Sequence, residues 1–410
     1  MGRLSSFDAK VDVVICGAGA AGMAAAIAAA RSGVAPWLVE KQKACGGTVS
    51  QSLIHTLGGL YDDSGEYLQQ GLARELAERL MTADKNVRPR KIGKAWTLSV
   101  DPQVYTTITR EWLDEEGVRI LLATQVVGGR IEGSQVNALV LRDDRGVENR
   151  LACNAVIDCS GGAEVVRLLA PNKVQDDSMQ AAAGLIFQLH GVDRLAISFP
   201  RNIEVLRAIR KAVKQGRLPP LCEKTWIDLG TGADDAYVKL FIPLTARWRQ
   251  PEEWARIEEQ ALDLRDQVFH WLKTMPGFEK AQLGKTGAIG VRDGGRIEGD
   301  YVLTAEDVRG ARKFPHPACK CQWPIEYWHP KRGVTVEYLQ PGSHYEIPLE
   351  ALRVRGLHNL WAAGKCFSAD PLARASARVV GSCWAMGEAA GIEAADYSQS
   401  SGEHESDRSV

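Results

Sequence analysis

The stretch Val11-Asp12-Val13-Val14-Ile15-Cys16-Gly17-Ala18-Gly19-Ala20-Ala21-Gly22 decides how this chain is expected to fold. Its apolar first half predicts a buried strand, and the alanine-rich run after it predicts a helix that reaches about Arg31. Gly33 ends that helix, and a second strand over 34–39 stops at Glu40. Strand, glycine turn, helix and strand in this order form the βαβ unit in which a GxGxxG turn binds a dinucleotide.

Each motif glycine has a steric reason. The first makes the tight turn, the second lets a pyrophosphate approach the backbone, and the third lets helix and strand pack closely. The phosphates then lie on the free N–H groups at the positive end of the helix. Glu40 follows at the distance where a carboxylate accepts hydrogen bonds from an adenosine ribose, and its charge disfavours NADP. The alternatives are a glycine- and alanine-rich core helix or a membrane span, and Asp12 and the glycines oppose the membrane span.

Composition narrows the class of protein. The 410 residues are 45% hydrophobic and 25% charged with a net charge of −1, which indicates a globular protein and disfavours nucleic-acid or anionic-membrane partners. The polar start over 1–10 predicts no secretory signal. The nine scattered cysteines indicate reduced thiols, so we expect a cytoplasmic protein. The oligomeric state is open.

The patterning divides the chain into two parts. Short strands over 119–123, 125–132, 136–143 and 148–152 predict a β-meander, and 155–162 predicts another buried strand that ends in a glycine pair. The region 170–345 holds most of the tryptophans and long charged helices, one of them from Pro251 to Lys273. We therefore predict an α/β fold: a Rossmann-type nucleotide-binding domain, with a parallel sheet plus β-meander, and an inserted α+β substrate domain. The predicted limits are 1–168 with 346–396 for the first domain, 169–345 for the substrate or cap domain, and 397–410 for a disordered tail.

Four segments carry a resemblance to a known family: Cys45-Gly46-Gly47-Thr48, 156–162, 290–304, and 359–370 continued by Arg378, Gly387 and Gly391. In this order they resemble the FAD-dependent oxidoreductases allied to the fumarate reductase and succinate dehydrogenase flavoproteins, whose FAD half has the glutathione-reductase-type fold. The chain departs from the family pattern at three places. These are Asp158-Cys159-Ser160-Gly161-Gly162 for the usual Asp-Ala-Thr-Gly-Asp, Gly364-Lys365 for Gly-Arg, and Glu326-Tyr327-Trp328-His329 for Asp-Ile-His.

The resemblance implies FAD as the cofactor. A C-terminal helix starting near Ser376 is expected to point its N-terminus at the flavin N1 and C2 carbonyl; plain packing is the alternative. The residues expected to contact FAD are Gly17, Gly19, Ala20, Ala21, Gly22, Glu40, Lys41, Gly46, Gly47, Thr48, Val126, Ser160, Gly161, Gly364, Lys365, Arg378, Gly381 and Ser382.

Four side chains are candidates for the chemistry. Arg292 and Arg296, in a glycine-rich segment, are either a clamp for a substrate carboxylate or surface salt bridges. His329 is a candidate for proton transfer, with a structural histidine as the alternative. His55, shortly after Gly46-Gly47-Thr48, is expected near the flavin, where it lines the site or attaches the flavin covalently.

Other chemistry has less support. Cys319-Lys320-Cys321 lacks a second cysteine pair, so no metal site is expected. The run 230–234 lacks the third glycine and the helix of a dinucleotide motif, so no separate NAD(P)H domain is expected.

We therefore expect an FAD-dependent dehydrogenase or oxidase that moves hydride from a small polar metabolite to flavin N5 in a biosynthetic step. One alternative is a flavin monooxygenase that uses NAD(P)H, although the loop after Gly364 lacks the Gly-Asp-Ala-Ala-His pattern of those enzymes. The other is a non-enzymatic flavin-binding partner in RNA modification, or a redox sensor. The basic stretch 207–217 favours a solvated helix face over an RNA surface. The expected partner is a small-molecule substrate, with no nucleic acid and no membrane.

Overall fold

The computed structural model describes residues 5–6, 10–177 and 180–406. Its strands are β1 (Ser5–Ser6), β2 (Val11–Cys16), β3 (Trp37–Val39), β4 (Thr56–Leu57), β5 (Arg88–Ile92), β6 (Ala95–Ser99), β7 (Arg119–Leu121), β8 (Gln125–Glu132), β9 (Gln135–Arg142), β10 (Glu148–Asp158), β11 (Val174–Asp176), β12 (Ala183–His190), β13 (Trp226–Leu229), β14 (Ala236–Ile242), β15 (Gln282–Thr286), β16 (Gly295–Ile297), β17 (Pro317–Cys321), β18 (Ile325–His329), β19 (Gly333–Glu337), β20 (Tyr345–Pro348) and β21 (Leu360–Ala362). Its α-helices are α1 (Ala20–Arg31), α2 (Thr48–Ser52), α3 (Leu72–Ala83), α4 (Pro102–Glu115), α5 (Glu164–Leu169), α6 (Arg201–Lys214), α7 (Pro251–Leu272), α8 (Ala305–Arg309), α9 (Pro371–Ala377) and α10 (Val380–Ser406).

The main sheet has the order β7-β3-β2-β10-β9-β8, with β21 also pairing with β10. Strands β7, β3, β2, β10 and β21 pair in parallel, and β8 and β9 add the antiparallel meander. This confirms the predicted Rossmann-type sheet. Two details differ from the prediction: β10 is one continuous strand that serves both parts, and the strand at 119 belongs to the parallel sheet because it pairs with β3.

Helices α1 and α10 cross on one face of this sheet at very short range. A Cβ atom at Gly387 would lie 2.1 Å from the Ala21 carbonyl oxygen, and one at Gly391 would lie 2.4 Å from that of Ala25. The two backbones therefore touch, which explains why both helices are built of alanine and glycine. This contact fixes α1, and with it the glycine turn at its N-terminus, against the C-terminal part of the chain.

The cap has its own antiparallel sheet, β13-β14-β12-β15, covered by α6 and α7. Its separate hydrophobic core takes side chains from 183–289, which confirms an inserted α+β unit. The predicted cap limits are too wide, because buried side chains such as Leu303, Cys321 and Tyr345 pack in the core of the nucleotide-binding part.

The C-terminal helix differs from its predicted form. Asp370 accepts hydrogen bonds from the backbone N–H groups of Leu372 and Ala373 and so starts α9, which ends before Arg378. The long helix α10 begins at Val380 and continues to Ser406, so the prediction of a disordered tail is wrong for 397–406. Residues 407–410 lie outside the described residues. Within the described part, no helix is long and apolar enough to cross a membrane.

Candidate functional site

The glycine turn lies between β2 and α1, where the sequence predicted it. A Cβ on Gly17 would meet the Cys159 carbonyl oxygen at 2.5 Å, and one on Gly22 would meet the Gly17 carbonyl oxygen at 1.8 Å. Gly17 also has a φ of +106°. These two glycines are therefore required by the protein itself, the first by the turn and the other by helix–strand packing.

Gly19 is different, because the protein gives it no steric reason to be glycine. Its φ of −81° suits any residue, and the nearest atom to an added Cβ is the Gly47 Cα at 3.8 Å. It stands at the N-terminus of α1, which has neither a capping side chain nor an acidic residue in its first turn. An uncapped helix N-terminus, beside a glycine that neither packing nor backbone conformation requires, fits a bound pyrophosphate.

Glu40 closes the nucleotide end of the site. Its buried carboxylate accepts hydrogen bonds from the N–H groups of Ala18 (2.6 Å) and Gln42 (2.8 Å), which ties the end of β3 to the glycine turn. A cavity of about 480 Å³ opens beside it. Its lining includes Lys41, Gln42, Ala123 and Gln125, next to Val126 on β8. The cavity has the position and size for the adenosine half of FAD.

The segment after Glu40 returns to the glycine turn. The N–H of Gly46 donates to the Ala18 carbonyl oxygen at 2.8 Å. A Cβ on Gly47, whose φ is +54°, would lie 2.7 Å from the Gly19 Cα. Thr48 then begins α2 with an exposed side chain. The backbone at 46–47 and the glycine turn therefore pack against each other and form one surface, which we name the glycine floor.

The loop after β10 is the second segment of the chain that comes back to the glycine turn. Asp158 is fully buried, and its carboxylate accepts hydrogen bonds from the N–H groups of Ser160, Val165 and Val166, so it holds the loop and the start of α5. The Ser160 hydroxyl accepts from the Glu164 N–H at 2.9 Å. The side chains of Asp158 and Ser160 are thus hydrogen-bonded within the protein. The backbone of this loop is what remains available to a cofactor.

Gly364-Lys365 is the third segment that comes back to the glycine turn. Burial lowers the pKa of Lys365 to about 8, and its Nζ donates to the Val291 carbonyl oxygen at 2.8 Å. Further along, Gly381 packs on Gly59, where an added Cβ would lie 2.5 Å from backbone. The Ser382 hydroxyl accepts a weak hydrogen bond from the Cys321 thiol at 3.4 Å. Gly381 and Ser382 thus have structural reasons of their own beside their predicted contact with FAD.

A group of buried charged side chains lies beside Gly364-Lys365, and we name it the arginine cluster. Its cations are Arg292, Arg296, Lys365, Arg374 and Arg378, and its carboxylates are Asp177, Asp293 and Glu326. Five cations against three carboxylates leave an excess of two positive charges. Buried charge without compensation is costly, so this excess favours an anionic ligand.

Arg374 is the centre of the cluster. It is fully buried on α9, its Nη2 contacts Asp177, and the same atom lies 3.0 Å from Asp293 Oδ1. Its Nε and Nη1 have no partner among the described residues. The buried Tyr327 hydroxyl also has none, and burial with the charges of Asp293 and Asp177 raises the pKa of Tyr327. Buried polar groups are normally hydrogen-bonded, so these donors suit a ligand that accepts hydrogen bonds.

The two arginines predicted as a clamp have different surroundings. Arg296 donates from Nε to Asp177 Oδ1 at 3.1 Å, which is the salt bridge of the alternative interpretation, although a mostly buried one. The Arg292 guanidinium lies 3.6 Å from the Trp328 ring centre and donates to the Ala182 carbonyl oxygen at 2.6 Å. Within the described residues it has no carboxylate partner, and burial together with Arg378 lowers the pKa of Arg292 to about 9. Arg292 therefore remains available to an anion.

His55 lies between the two parts of the molecule. Its ring stacks on Tyr237 at 3.9 Å, its Nδ1 is 3.0 Å from the Leu53 carbonyl oxygen, and its Nε2 is 3.5 Å from Asp228 Oδ2. Burial, followed by the charge of Lys239, lowers the pKa of His55. Nδ1 faces a backbone acceptor, whereas the buried Nε2 has no hydrogen-bond partner among the described residues. The contacts with Tyr237 and Asp228 favour a link between α2 and the cap sheet, and a covalent bond to flavin stays an alternative.

His329 ends β18 in a hairpin with β19. Its Nδ1 accepts hydrogen bonds from the N–H groups of Lys331 and Arg332, each at 3.1 Å. Desolvation, followed by the charges of Arg332 and Lys224, lowers the pKa of His329. The geometry favours the structural alternative for this residue. Cys319 and Cys321 lie on β17, and the described residues contain no cluster able to hold a metal ion.

Comparison with known proteins agrees with this geometry. The family model described as FAD dependent oxidoreductase matches residues 12–405. The chain belongs to that family. It is therefore an FAD-dependent oxidoreductase, with FAD as its cofactor. The closer alliance with the fumarate reductase flavoproteins stays a prediction.

Several solved structures are similar to this chain at low identity. The geranylgeranyl bacteriochlorophyll reductase-like protein of Thermoplasma acidophilum is 14% identical, with 98% of this chain and 80% of that chain covered and a TM-score of 0.48. A flavoprotein/dehydrogenase from Cytophaga hutchinsonii is 13% identical, with 95% and 79% covered and a TM-score of 0.49. A triple mutant of the flavin-dependent brominase Bmp2 is 16% identical, with 95% and 80% covered and a TM-score of 0.46. Among curated proteins no sequence matches the chain.

The side chains at the reacting end were mostly missed by the sequence reasoning. Arg374, Tyr327 and Asp177 each look ordinary in their own segment of the sequence. The one available signal was the arginine inside the alanine-rich stretch 371–377, where an apolar helix face has to bury a charge.

Proposed function

We propose that this FAD-dependent oxidoreductase is a dehydrogenase or oxidase that takes hydride from a small metabolite carrying a carboxylate or a similar anionic group. The observation that carries the proposal is the fully buried Arg374, whose Nε and Nη1 have no partner among the described residues. These N–H groups lie on different edges of the guanidinium, and each suits one charge-assisted hydrogen bond to an anionic oxygen such as that of a carboxylate.

The neighbours of Arg374 suit that role. Asp177 and Asp293 contact its Nη2, so the guanidinium is held in one orientation before a ligand arrives. Arg292, flat against Trp328, supplies a second cation without a carboxylate of its own. Tyr327 keeps its proton because its pKa is raised, so its hydroxyl can donate a hydrogen bond to a substrate oxygen.

Bound FAD supplies the hydride acceptor, its N5 atom. The contribution of this chain is to bind and orient the anionic substrate and to keep water away from it. The excess of two positive charges in the arginine cluster also favours the negative charge that develops when electrons enter the site.

The test uses the FAD-loaded protein under anaerobic conditions. A panel of hydroxy acids and amino acids is mixed with it, each beside its neutral amide, and the flavin absorbance is followed. We expect direct bleaching by at least one acid, and bleaching slower by about tenfold or more with its amide, because the amide lacks the charge that the arginines bind. Acids and amides that bleach equally fast would contradict the anionic substrate. Bleaching that requires NADPH in addition would favour the monooxygenase.

A further inference from the structure

A second cavity lies at the junction between the nucleotide-binding part and the cap, and its volume is about 460 Å³. Its lining includes Arg88, Arg90, Ser99, Arg194 and the turn 229–233. One wall is the face of β5 and β6, and the other is the glycine-containing turn after β13. None of these residues belongs to the arginine cluster.

The lining is positively charged. Arg88, Arg90 and Arg194 contribute three guanidinium groups, and the lining contains no acidic residue. Arg88 lies opposite Ser99 in the β5–β6 pairing, and Arg90 is two residues further on, so all three share one face of the sheet. Arg194 donates from Nη1 to the Gly232 carbonyl oxygen at 2.6 Å, which fixes it to the opposite wall. In the described part of the chain, no ion pair joins any of these arginines to a carboxylate within 4.0 Å.

Two buried polar groups in this cavity have no partner among the described residues: Arg90 Nε and the Ser99 hydroxyl. Ser99 is only 7% exposed. Burial lowers the pKa of Arg90, and the neighbouring charges of Arg194 and Arg88 lower it further. A cation that is half desolvated beside two like charges is unfavourable unless an anion joins them.

The nearest acids do not neutralise the arginines. Asp228 raises the pKa of Arg90, but its own charge is taken up by Lys239 at 2.6 Å, and it also faces His55 at 3.5 Å. Asp235 folds its carboxylate into the turn, close to Gly230 and Gly232, and burial raises its pKa. The cavity therefore keeps a net positive charge.

We propose that this cavity binds a small phosphorylated metabolite, with its phosphate on Arg88, Arg90 and Arg194 and a phosphate oxygen on the Ser99 hydroxyl. Three guanidinium groups in one cavity suit a dianion with several oxygens better than a single carboxylate. The volume holds more than a phosphate, so the rest of the ligand lies along the turn 229–233. Because the walls come from both parts of the molecule, the ligand joins the cap to the nucleotide-binding part. This site does not depend on the proposed substrate of the arginine cluster.

The test measures binding of inorganic phosphate to the FAD-loaded protein by calorimetry, at constant ionic strength set with chloride. Saturation with FAD fills the pyrophosphate site, so that phosphate cannot bind there. We expect saturable binding at one site in the wild type, weakened by about tenfold in both Arg90→Gln and Arg88→Gln, because each variant loses a charged donor to phosphate. The matched control is Arg207→Gln on α6, which removes the same charge from an exposed position and leaves the affinity unchanged.

Three results would overturn the proposal: no saturable phosphate binding in the wild type, equal affinity in the arginine variants and the wild type, or acetate binding as tightly as phosphate. If Arg90→Gln does not fold, Arg88→Gln alone decides, because Arg88 is exposed and its loss leaves the sheet intact.

Discussion

The two ends of the expected FAD site are built in different ways. At the nucleotide end, the turn of Gly17, Gly19 and Gly22, the floor at Gly47 and the carboxylate of Glu40 all lie within one short segment and act mainly through backbone. At the reacting end, the arginine cluster brings together side chains far apart in sequence. Arg374 contacts Asp177 across 197 positions and Asp293 across 81.

This difference explains how each end can fail. A backbone site is lost only when an added side chain fills the space of the ligand or breaks the turn. A site of buried side chains is lost when one charge is removed, while the cofactor can stay bound. Substitutions at the two ends should therefore separate cofactor binding from chemistry.

The largest expected effect is at Gly19. Gly19→Val should weaken FAD binding by about a hundredfold or more, because the new side chain occupies the space at the helix N-terminus that the pyrophosphate needs. The apoprotein should still fold, since the nearest atom to a Cβ at Gly19 is 3.8 Å away. Flavin absorbance and circular dichroism of the purified variant check both points.

The matched control is Gly22→Ala in the same turn. Its Cβ would lie 1.8 Å from the Gly17 carbonyl oxygen, so this variant should lose about 3 kcal/mol or more of unfolding free energy. A Gly19→Val protein that purifies yellow, or a Gly22→Ala protein as stable as the wild type, would remove the distinction between the two glycines.

An intermediate effect is expected from Lys365 as the pH changes. Burial lowers the pKa of Lys365 in the folded chain to about 8 from the ordinary 10.5, so between these values the unfolded chain binds more protons. The stability of the apoprotein should therefore rise with pH from about 8 to about 10, by at most about 1.4 kcal/mol per pH unit. Urea unfolding of the wild type and of Lys365→Met over this range isolates the contribution. Equal slopes in the two proteins would show that Lys365 is not desolvated.

The smallest effect is expected at His329. Its Nδ1 holds the hairpin turn through two backbone N–H groups, so His329→Ala should lower the stability slightly and leave the rate of flavin reduction within about threefold of the wild type. Rapid-mixing absorbance measures the rate. A loss of two decades or more would restore His329 as the group that transfers the proton.

The sequence predicted the strand, glycine turn and helix of the nucleotide end for a physical reason. A glycine turn between a strand and a helix is a local pattern, and its function follows from steric limits that can be read in order along the chain. Asp101, which caps α4, and Pro102 at its first position are a local pattern of the same kind. Periodicity also located α7.

The reacting end could not be predicted in the same way. Nothing in 371–377 shows that Arg374 meets Asp177 and Asp293, since those contacts depend on how the cap and α9 pack together. His55 and His329 were chosen for their chemical type, whereas their hydrogen bonds depend on tertiary neighbours. The disordered tail was predicted from polar composition, but packing of the alanine-rich first part of α10 on α1 extends the helix.

The central claim is that Arg374 binds the substrate while the glycine floor binds FAD, and one sample of Arg374→Gln tests it. FAD content and the rate of anaerobic bleaching by the acid identified in the panel are measured on the same preparation. We predict full FAD content with bleaching slower by about a hundredfold or more, because a buried charge pair and its ligand contact are lost together. An unchanged bleaching rate, or loss of FAD together with activity, would contradict it.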